Sequence, residues 1–148
     1  MLIQTLKTLF QRDLNTLRKE IESYKVESKL WIIDKGIANS AGNLCLHLVG
    51  NLNTYIGKEL GGTGYIRQRD LEFSQKDVPK AILLKMINET MATVATALEK
   101  VTDQRLEEEY PVIVLAEKTT TGHFLVHLLA HLSYHLGQIN YHRRLLDY

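Results

Sequence analysis

Four histidines stand at successive steps of four residues near the C-terminal end of the sequence, at His123, His127, His131 and His135. Residues four apart are neighbours on one face of a helix, so an adjacent pair from this ladder can bind one metal ion together. A third imidazole from another helix would complete a three-nitrogen site with a vacant coordination position, which metal catalysis requires. The ladder therefore predicts a metal site more directly than it predicts any particular reaction.

The orientation of this helix separates the histidines. At about 100° per residue, its leucines cluster around one direction, which must face the core. His135 lies roughly 60° from that direction and His131 roughly 100°, whereas His127 lies roughly 140° away and His123 nearly opposite. We therefore expect His131 and His135 to flank the core, with the other two facing solvent. His142 shares the flank of His135, but a rise of about 10.5 Å is too great for one ion.

The third ligand is harder to find from periodicity. His47 is the only histidine outside the C-terminal stretch, so it is the only candidate from another helix. It lies roughly 140° from the mean direction of the apolar residues around it, on a polar stripe with Asn43 and Asn51. Periodicity therefore does not place His47 in the core. The alternative interpretation, that these histidines are ordinary surface or hydrogen-bonded residues, is weakened by the flanking pair, because two neutral imidazoles share a partner readily.

Several other metal sites are excluded by missing motifs. No Glu-x-x-His occurs, which excludes the di-iron carboxylate bundles, and no His-Glu-x-x-His occurs, which excludes a zincin protease. Cys45 is the only cysteine, so neither an internal disulfide nor a multi-thiolate zinc site can form. Its position among leucines predicts a core packing residue rather than a nucleophile.

Composition indicates one ordinary globular domain over residues 1–148, with 45% hydrophobic and 24% charged residues. The net charge of +1 lacks the excess of positive charge that favours binding to nucleic acid or to an anionic membrane. The N-terminal segment lacks the apolar block of a signal peptide, and no run approaches the ~18 apolar residues of a membrane span. We therefore expect a soluble, cytoplasmic protein without nucleic-acid or membrane partners.

Apolar residues recur at steps of three and four in four stretches, which predicts an all-α protein with four long antiparallel helices in a four-helix bundle. The first helix spans about 2–26. The second begins at an Asn39–Ser40 cap and ends near Leu60, before two glycines. The third begins at an Asp77 cap, with Pro79 in its first turn, and the fourth begins at the threonine triplet 119–121.

Two connections lack a clear helical period. The segment Gly61–Gln75 is loop-like and carries the charged residues Arg67 and Arg69, whose role the sequence leaves open. The connection Thr102–Lys118 contains the run Val112–Leu115, which could be a short extended segment packed across the bundle. A connection of this length is unusual in a compact helical domain and is often functional.

Three stretches of the chain resemble the DinB/YfiT-like superfamily, and most closely its DUF1572 branch. They are the second-helix segment Asn39–Leu52, the segment Gly61–Phe73 with Arg67-Gln-Arg69-Asp-Leu-Glu, and the segment His131–Leu146. The most specific part is a second-helix histidine combined with His-x-x-x-His-x-Gly-Gln. The resemblance covers nearly the whole chain. It implies a four-helix bundle that binds one divalent metal through His47, His131 and His135, with zinc or nickel expected because imidazole suits both ions.

Relatives with known activity in this superfamily transfer a low-molecular-weight thiol, such as bacillithiol or mycothiol, to electrophiles. The resemblance therefore implies a metal-dependent thiol transferase, while a metal-dependent hydrolase and a non-catalytic metal- or ligand-binding bundle remain alternatives. It also implies a homodimer, because bundles of this superfamily commonly pair and two-fold dimers dominate soluble oligomers.

Further residues near the histidine pair have two possible roles. Tyr134 and Gln138 could be hydrogen-bond partners that orient the metal ligands, or they could be a packing residue and a surface residue. We expect the activated thiol or water to lie beside an apolar wall formed by Leu128, Leu132 and Leu136, which would suit a hydrophobic electrophile.

Overall fold

The chain folds into α-helices with no β-strand, which confirms the all-α prediction; the computed structural model describes all of residues 1–148. A 3₁₀ turn, Glu27–Trp31, precedes the second helix, and a π-helical segment, Asn53–Lys58, continues from it. The six α-helices are α1 (Leu2–Glu22), α2 (Ala41–Leu52), α3 (Arg69–Ser74), α4 (Lys80–Glu99), α5 (Asp103–Glu107) and α6 (Thr121–Leu146).

The long helices enclose one core. Both α1 and α2 pack against α4 and against α6. On α1 the buried side chains follow the predicted steps of three and four, at Phe10, Leu14, Leu17 and Ile21. Each such burial removes a large apolar side chain from water and stabilises the fold by about 1.5–3 kcal/mol. The buried hydrophobic residues form a single cluster of 32, so the chain has one continuous core.

Helix α2 departs from the amphipathic pattern because all 12 of its residues are buried. It begins as predicted, since the Ser40 side chain accepts a hydrogen bond from the backbone N–H of Asn43. A helix buried on every side needs its polar stripe covered by another part of the chain. The short helix α3 provides that cover by packing directly on α2.

Two predicted boundaries are wrong, and one helix was not predicted. The first helix ends at Glu22 rather than near Val26. The segment predicted as a loop contains α3, which is too short to show a helical period. Asp77 does not cap the third helix, because it has a positive φ of 57° and Pro79 occupies the cap position.

The connection between α4 and α6 is helical at its start, where the Thr102 side chain caps α5. Its run Val112–Leu115 forms no strand, and Val112, Ile113 and Val114 are exposed, so the prediction of a segment packed across the bundle is wrong there. The connection is anchored instead by the buried side chain of Tyr110, whose hydroxyl donates to the Tyr55 carbonyl.

Helix α4 is long and apolar enough to cross a membrane by length and composition alone, a test that the core helix of a soluble protein also passes. Its residues Leu83, Ile87 and Val94 are fully buried in the common core of the domain. Helix α4 therefore packs as a helix within a folded domain. The cytoplasmic location of the protein stays a prediction.

Candidate metal centre

Helix α6 places the predicted histidine pair beside the core. The Nε2 atoms of His131 and His135 lie 3.1 Å apart, and both side chains are half-buried. His123 and His127 are exposed, as the orientation of the helix predicts. The ladder thus turns from solvent towards the core along α6, and only its last two members reach the centre.

His47 joins this pair from α2. Its Nε2 atom lies 3.2 Å from Nε2 of His131, and the three candidate ligand atoms all lie within 4.8 Å of one another. Periodicity alone does not place His47 in the core, but the structure buries it, because α2 is buried on every side. The three imidazoles therefore lie close enough together to hold a metal ion.

The outer nitrogens of two of these rings have hydrogen-bond acceptors. Nδ1 of His47 donates to a Glu72 carboxylate oxygen at 3.0 Å, and Nδ1 of His135 donates to Oε1 of Gln138 at 2.7 Å. A neutral imidazole carries one N–H and one lone pair. The proton on each Nδ1 therefore leaves a lone pair on Nε2, and both lone pairs face His131.

His131 cannot satisfy this arrangement by hydrogen bonding. Its Nδ1 is buried and has no partner. If its proton sits on Nε2, that N–H can serve one of two facing lone pairs and Nδ1 stays unpaired. If its proton sits on Nδ1, the N–H is unpaired and three lone pairs converge. Either state leaves a buried polar atom unsatisfied, at a cost of about 1–3 kcal/mol. A cation at the meeting point of the three Nε2 atoms relieves the convergence, so the donor set fits a divalent metal.

The protonation of the pair also suits metal binding. Burial, together with the nearby His135 and His47, lowers the pKa of His131 to about 4. Burial lowers the pKa of His135 as well, even though the hydrogen bond with Gln138 opposes the shift. Both rings are therefore neutral at pH 7, and only the neutral imidazole can ligate a metal.

Glu72 was not identified from the sequence, yet it is the buried carboxylate nearest the cluster. Arg67 donates to both of its oxygens, from Nε at 2.9 Å and from Nη2 at 3.0 Å. Burial alone would raise the pKa of the Glu72 carboxyl, but the hydrogen bonds from His47 and Arg67 hold it below its usual range. Gly50 leaves the space that this carboxylate needs, because a Cβ there would lie 1.9 Å from Glu72 Oε2. No periodic pattern indicates such a residue, since Glu72 lies in a six-residue helix.

The other residues predicted near the pair differ in their contacts. Gln138 bonds His135, whereas Tyr134 is exposed and meets that ring only edge-on, with the ring centroids 5.3 Å apart. Arg69 lies over the ring of Phe73, 5.5 Å from its centroid, rather than at the cluster. Tyr134 and Arg69 therefore form no hydrogen bond with the three histidines.

The predicted apolar wall is wrong. Leu128, Leu132 and Leu136 are buried in the core and present no surface to a substrate. An open groove of about 780 Å³, lined in part by His135, lies instead between the C-terminal half of α6 and the irregular segment before α2. Helix α6 lines the groove with residues that include Tyr134, Gln138, Tyr141 and Leu145. The opposite wall includes Ile37 from the irregular segment and Leu44 from α2.

His142 lies outside the cluster, as predicted, and is fully hydrogen-bonded. Its Nδ1 accepts from the Tyr24 hydroxyl at 2.6 Å, and its Nε2 donates to the Ile32 carbonyl at 2.8 Å. Cys45 is also buried as predicted, and burial raises the pKa of its thiol to about 12. A buried, protonated thiol is inert, so the cysteine is a packing residue.

Comparison with known protein families adds a classification to this geometry. The model of the family described as a protein of unknown function (DUF1572) matches residues 2–147. The chain therefore belongs to the DUF1572 family. No curated protein matches the chain.

Proposed function

We propose that this DUF1572 protein binds one divalent metal ion, zinc or nickel, through the Nε2 atoms of His47, His131 and His135. The observation that carries the proposal is the meeting of three Nε2 atoms, where the lone pairs of His47 and His135 both face His131. Imidazole nitrogens suit both ions. Three nitrogen ligands leave a coordination position for a reactant, as in catalytic zinc sites.

We also propose that α1, α2, α4 and α6 form a four-helix bundle of the DinB/YfiT-like type. In support, α1 and α2 each pack against both α4 and α6. The ligands come from α2 and α6, and bundles commonly build metal sites from side chains on facing helices. A cytoplasmic homodimer remains part of the same proposal, and monomeric elution at micromolar concentration in light scattering would count against the dimer.

The reaction that we propose is transfer of a small thiol to an electrophile. A divalent ion held by neutral ligands would keep its charge and lower the pKa of a thiol or water beside it. In a displacement, a sulfur–carbon bond forms, the bond from that carbon to its leaving group breaks, and the thiol proton passes to solvent. Hydrolysis, with water in place of the thiol, is the second candidate because the same open position would accept water.

The groove beside His135 supports an apolar electrophile. Its volume of about 780 Å³ is within the range of small-molecule sites, ~300–1,000 Å³. Tyr134, Tyr141 and Leu145 supply exposed apolar surface along its α6 wall. The charged residues Asp34 and Lys35 on its other wall have opposite signs, so the lining does not favour a strongly charged compound.

Conjugation of 1-chloro-2,4-dinitrobenzene by a panel of small thiols tests the proposal. We expect the zinc-loaded protein to accelerate conjugation and a His131→Ala variant to lose at least about 100-fold of that acceleration, more than the loss of an outer hydrogen-bond partner causes. A His123→Ala variant is the matched control on the same helix and should keep the full rate. Equal rates for wild type and His131→Ala, with metal bound only by wild type, would contradict catalysis and leave a non-catalytic metal-binding bundle.

A further inference from the structure

Glu72 meets the histidine cluster at one ring only, through Nδ1 of His47. We infer that Glu72, held by Arg67, is a positioning residue that keeps the Nε2 lone pair of His47 directed at the metal position. The inference rests on the proposed metal site. It assigns a role in that site to the segment between α2 and α4.

The Glu72 carboxylate is fixed in orientation as well as in place. One oxygen accepts from both His47 Nδ1 and Arg67 Nη2, and the other accepts from Arg67 Nε. Two parallel bonds from a guanidinium set the plane of a carboxylate. All three side chains are largely removed from water, which therefore competes little for these bonds. The carboxylate can thus hold the His47 ring in one rotation and one tautomer.

The backbone that carries Glu72 is held against α2 near the same ring. The side-chain amide of Asn43, one turn before His47, donates to the carbonyls of Glu72 and Gln75 at 2.9 and 2.8 Å. One turn after His47, Gly50 leaves room for the carboxylate. The polar stripe of α2 is therefore the docking surface for α3, and docking delivers Glu72 to His47.

The charge of this partner distinguishes His47 from His135. His135 donates to the neutral amide of Gln138, whereas His47 donates to an ionised carboxylate. A carboxylate behind a metal-bound imidazole raises the basicity of the ligand and fixes its tautomer. By linkage, metal binding at His47 must then strengthen the docking of α3 by the same factor that Glu72 strengthens metal binding.

A Glu72→Gln substitution separates positioning from simple packing because it keeps the shape. The glutamine oxygen can replace the carboxylate oxygen that accepts from His47 Nδ1 and Arg67 Nη2, which leaves its NH₂ group facing Arg67 Nε. His47 then keeps an acceptor, but the negative charge behind its ring is lost, and the guanidinium no longer fixes the plane of the side chain through two bonds. We expect zinc affinity, measured against a chelator, to fall by about 10- to 100-fold. Nitrogen-15 NMR of the metal-free protein should show a larger share of the Nε2–H tautomer of His47, because a neutral amide holds the Nδ1 proton less strongly than a carboxylate does.

Glu20→Gln is the matched control, because Glu20 is also a carboxylate that accepts from an arginine, Arg143, and from an amide, Asn140, but lies outside the cluster. We expect its zinc affinity to equal that of wild type. Unchanged zinc affinity and an unchanged His47 tautomer in folded Glu72→Gln would overturn the positioning role. Failure of the wild-type protein to bind zinc would overturn the proposed function instead, so the two failures are distinguishable. If Glu72→Gln does not fold, hydrogen exchange decides: zinc must slow exchange across α3 in the wild type, and no change there would overturn the inference.

Discussion

Two histidines on α6 are withdrawn from water to different extents, since His131 is half-buried and His142 is buried, and burial lowers the pKa of both. They differ in hydrogen bonding. Both ring nitrogens of His142 have protein partners, whereas His131 has an unpaired Nδ1 and an Nε2 that faces two other ring nitrogens. Burial alone therefore does not mark a ligand. A buried histidine with a partner at both ring nitrogens is a structural residue, whereas one whose Nε2 faces the Nε2 atoms of two other histidines fits a shared cation.

The largest effect expected from this comparison is on metal affinity. His131→Ala removes the ring nitrogen common to both close contacts, so zinc affinity should fall by at least about 100-fold, beyond the loss caused by removing an outer partner. Isothermal titration calorimetry of the metal-free protein with zinc measures this affinity. His123→Ala, which removes an exposed histidine from the same helix, should bind zinc like the wild type. Similar zinc affinity in all three proteins would remove the distinction between His131 and the surface histidines.

The next effect comes from a glycine. Gly50→Ala places a methyl group where the Glu72 carboxylate lies, so the carboxylate must move away from His47. We expect about a 10-fold loss of zinc affinity, as when the hydrogen-bond partner of a metal-binding histidine is displaced. Gly137→Ala is the matched control, because a Cβ there meets nothing within 4 Å. It should bind zinc normally and raise the free energy of unfolding by about 1 kcal/mol, since alanine favours a helix. Equal zinc affinities for the two variants would show that the Glu72 position does not affect the cluster.

His142 should behave in the opposite way to His131. His142→Phe keeps a ring in the core but leaves the Tyr24 hydroxyl without its buried partner. We expect the free energy of unfolding to fall by about 1–3 kcal/mol, with zinc affinity unchanged. Urea unfolding of the metal-free protein and zinc titration measure the two quantities. A loss of zinc affinity with no loss of stability would reverse the assigned roles.

The predictions from sequence succeeded for residues whose surroundings are set by one helix. The period of α6 is enough to separate His131 and His135 from the exposed His123 and His127. Periodicity fails for His47. It indicates which side of a helix is buried only where another side faces water, and α3 covers the polar side of α2. Glu72 could not be predicted for the same reason. Its position depends on the tertiary docking of a short helix, which leaves no periodic pattern in the sequence.

The smallest effect is a pH dependence of stability. Histidine in the unfolded chain has a pKa of about 6.5, whereas burial lowers the pKa of His131 to about 4 in the folded, metal-free protein. Between these values the unfolded state binds more protons, so the free energy of unfolding should fall as pH decreases from 6.5 towards 4. One group contributes at most about 1.4 kcal/mol per pH unit, and partial exposure makes the contribution of His131 smaller. Urea unfolding at pH 7 and pH 5 should show a smaller loss in His131→Ala than in wild type, and equal losses would contradict the assigned shift.

Metal analysis of the purified protein tests the central claim most directly. The protein must be prepared without a nickel column, since such a column can load a foreign ion. Elemental analysis should find about one divalent ion per wild-type chain, and X-ray absorption should find histidine nitrogens at about 2.0–2.1 Å from it. His131→Ala, prepared in parallel, should contain almost none. The proposed metal site is contradicted if the wild-type protein neither retains a divalent ion nor takes one up from zinc solution, or if His131→Ala holds as much as the wild type.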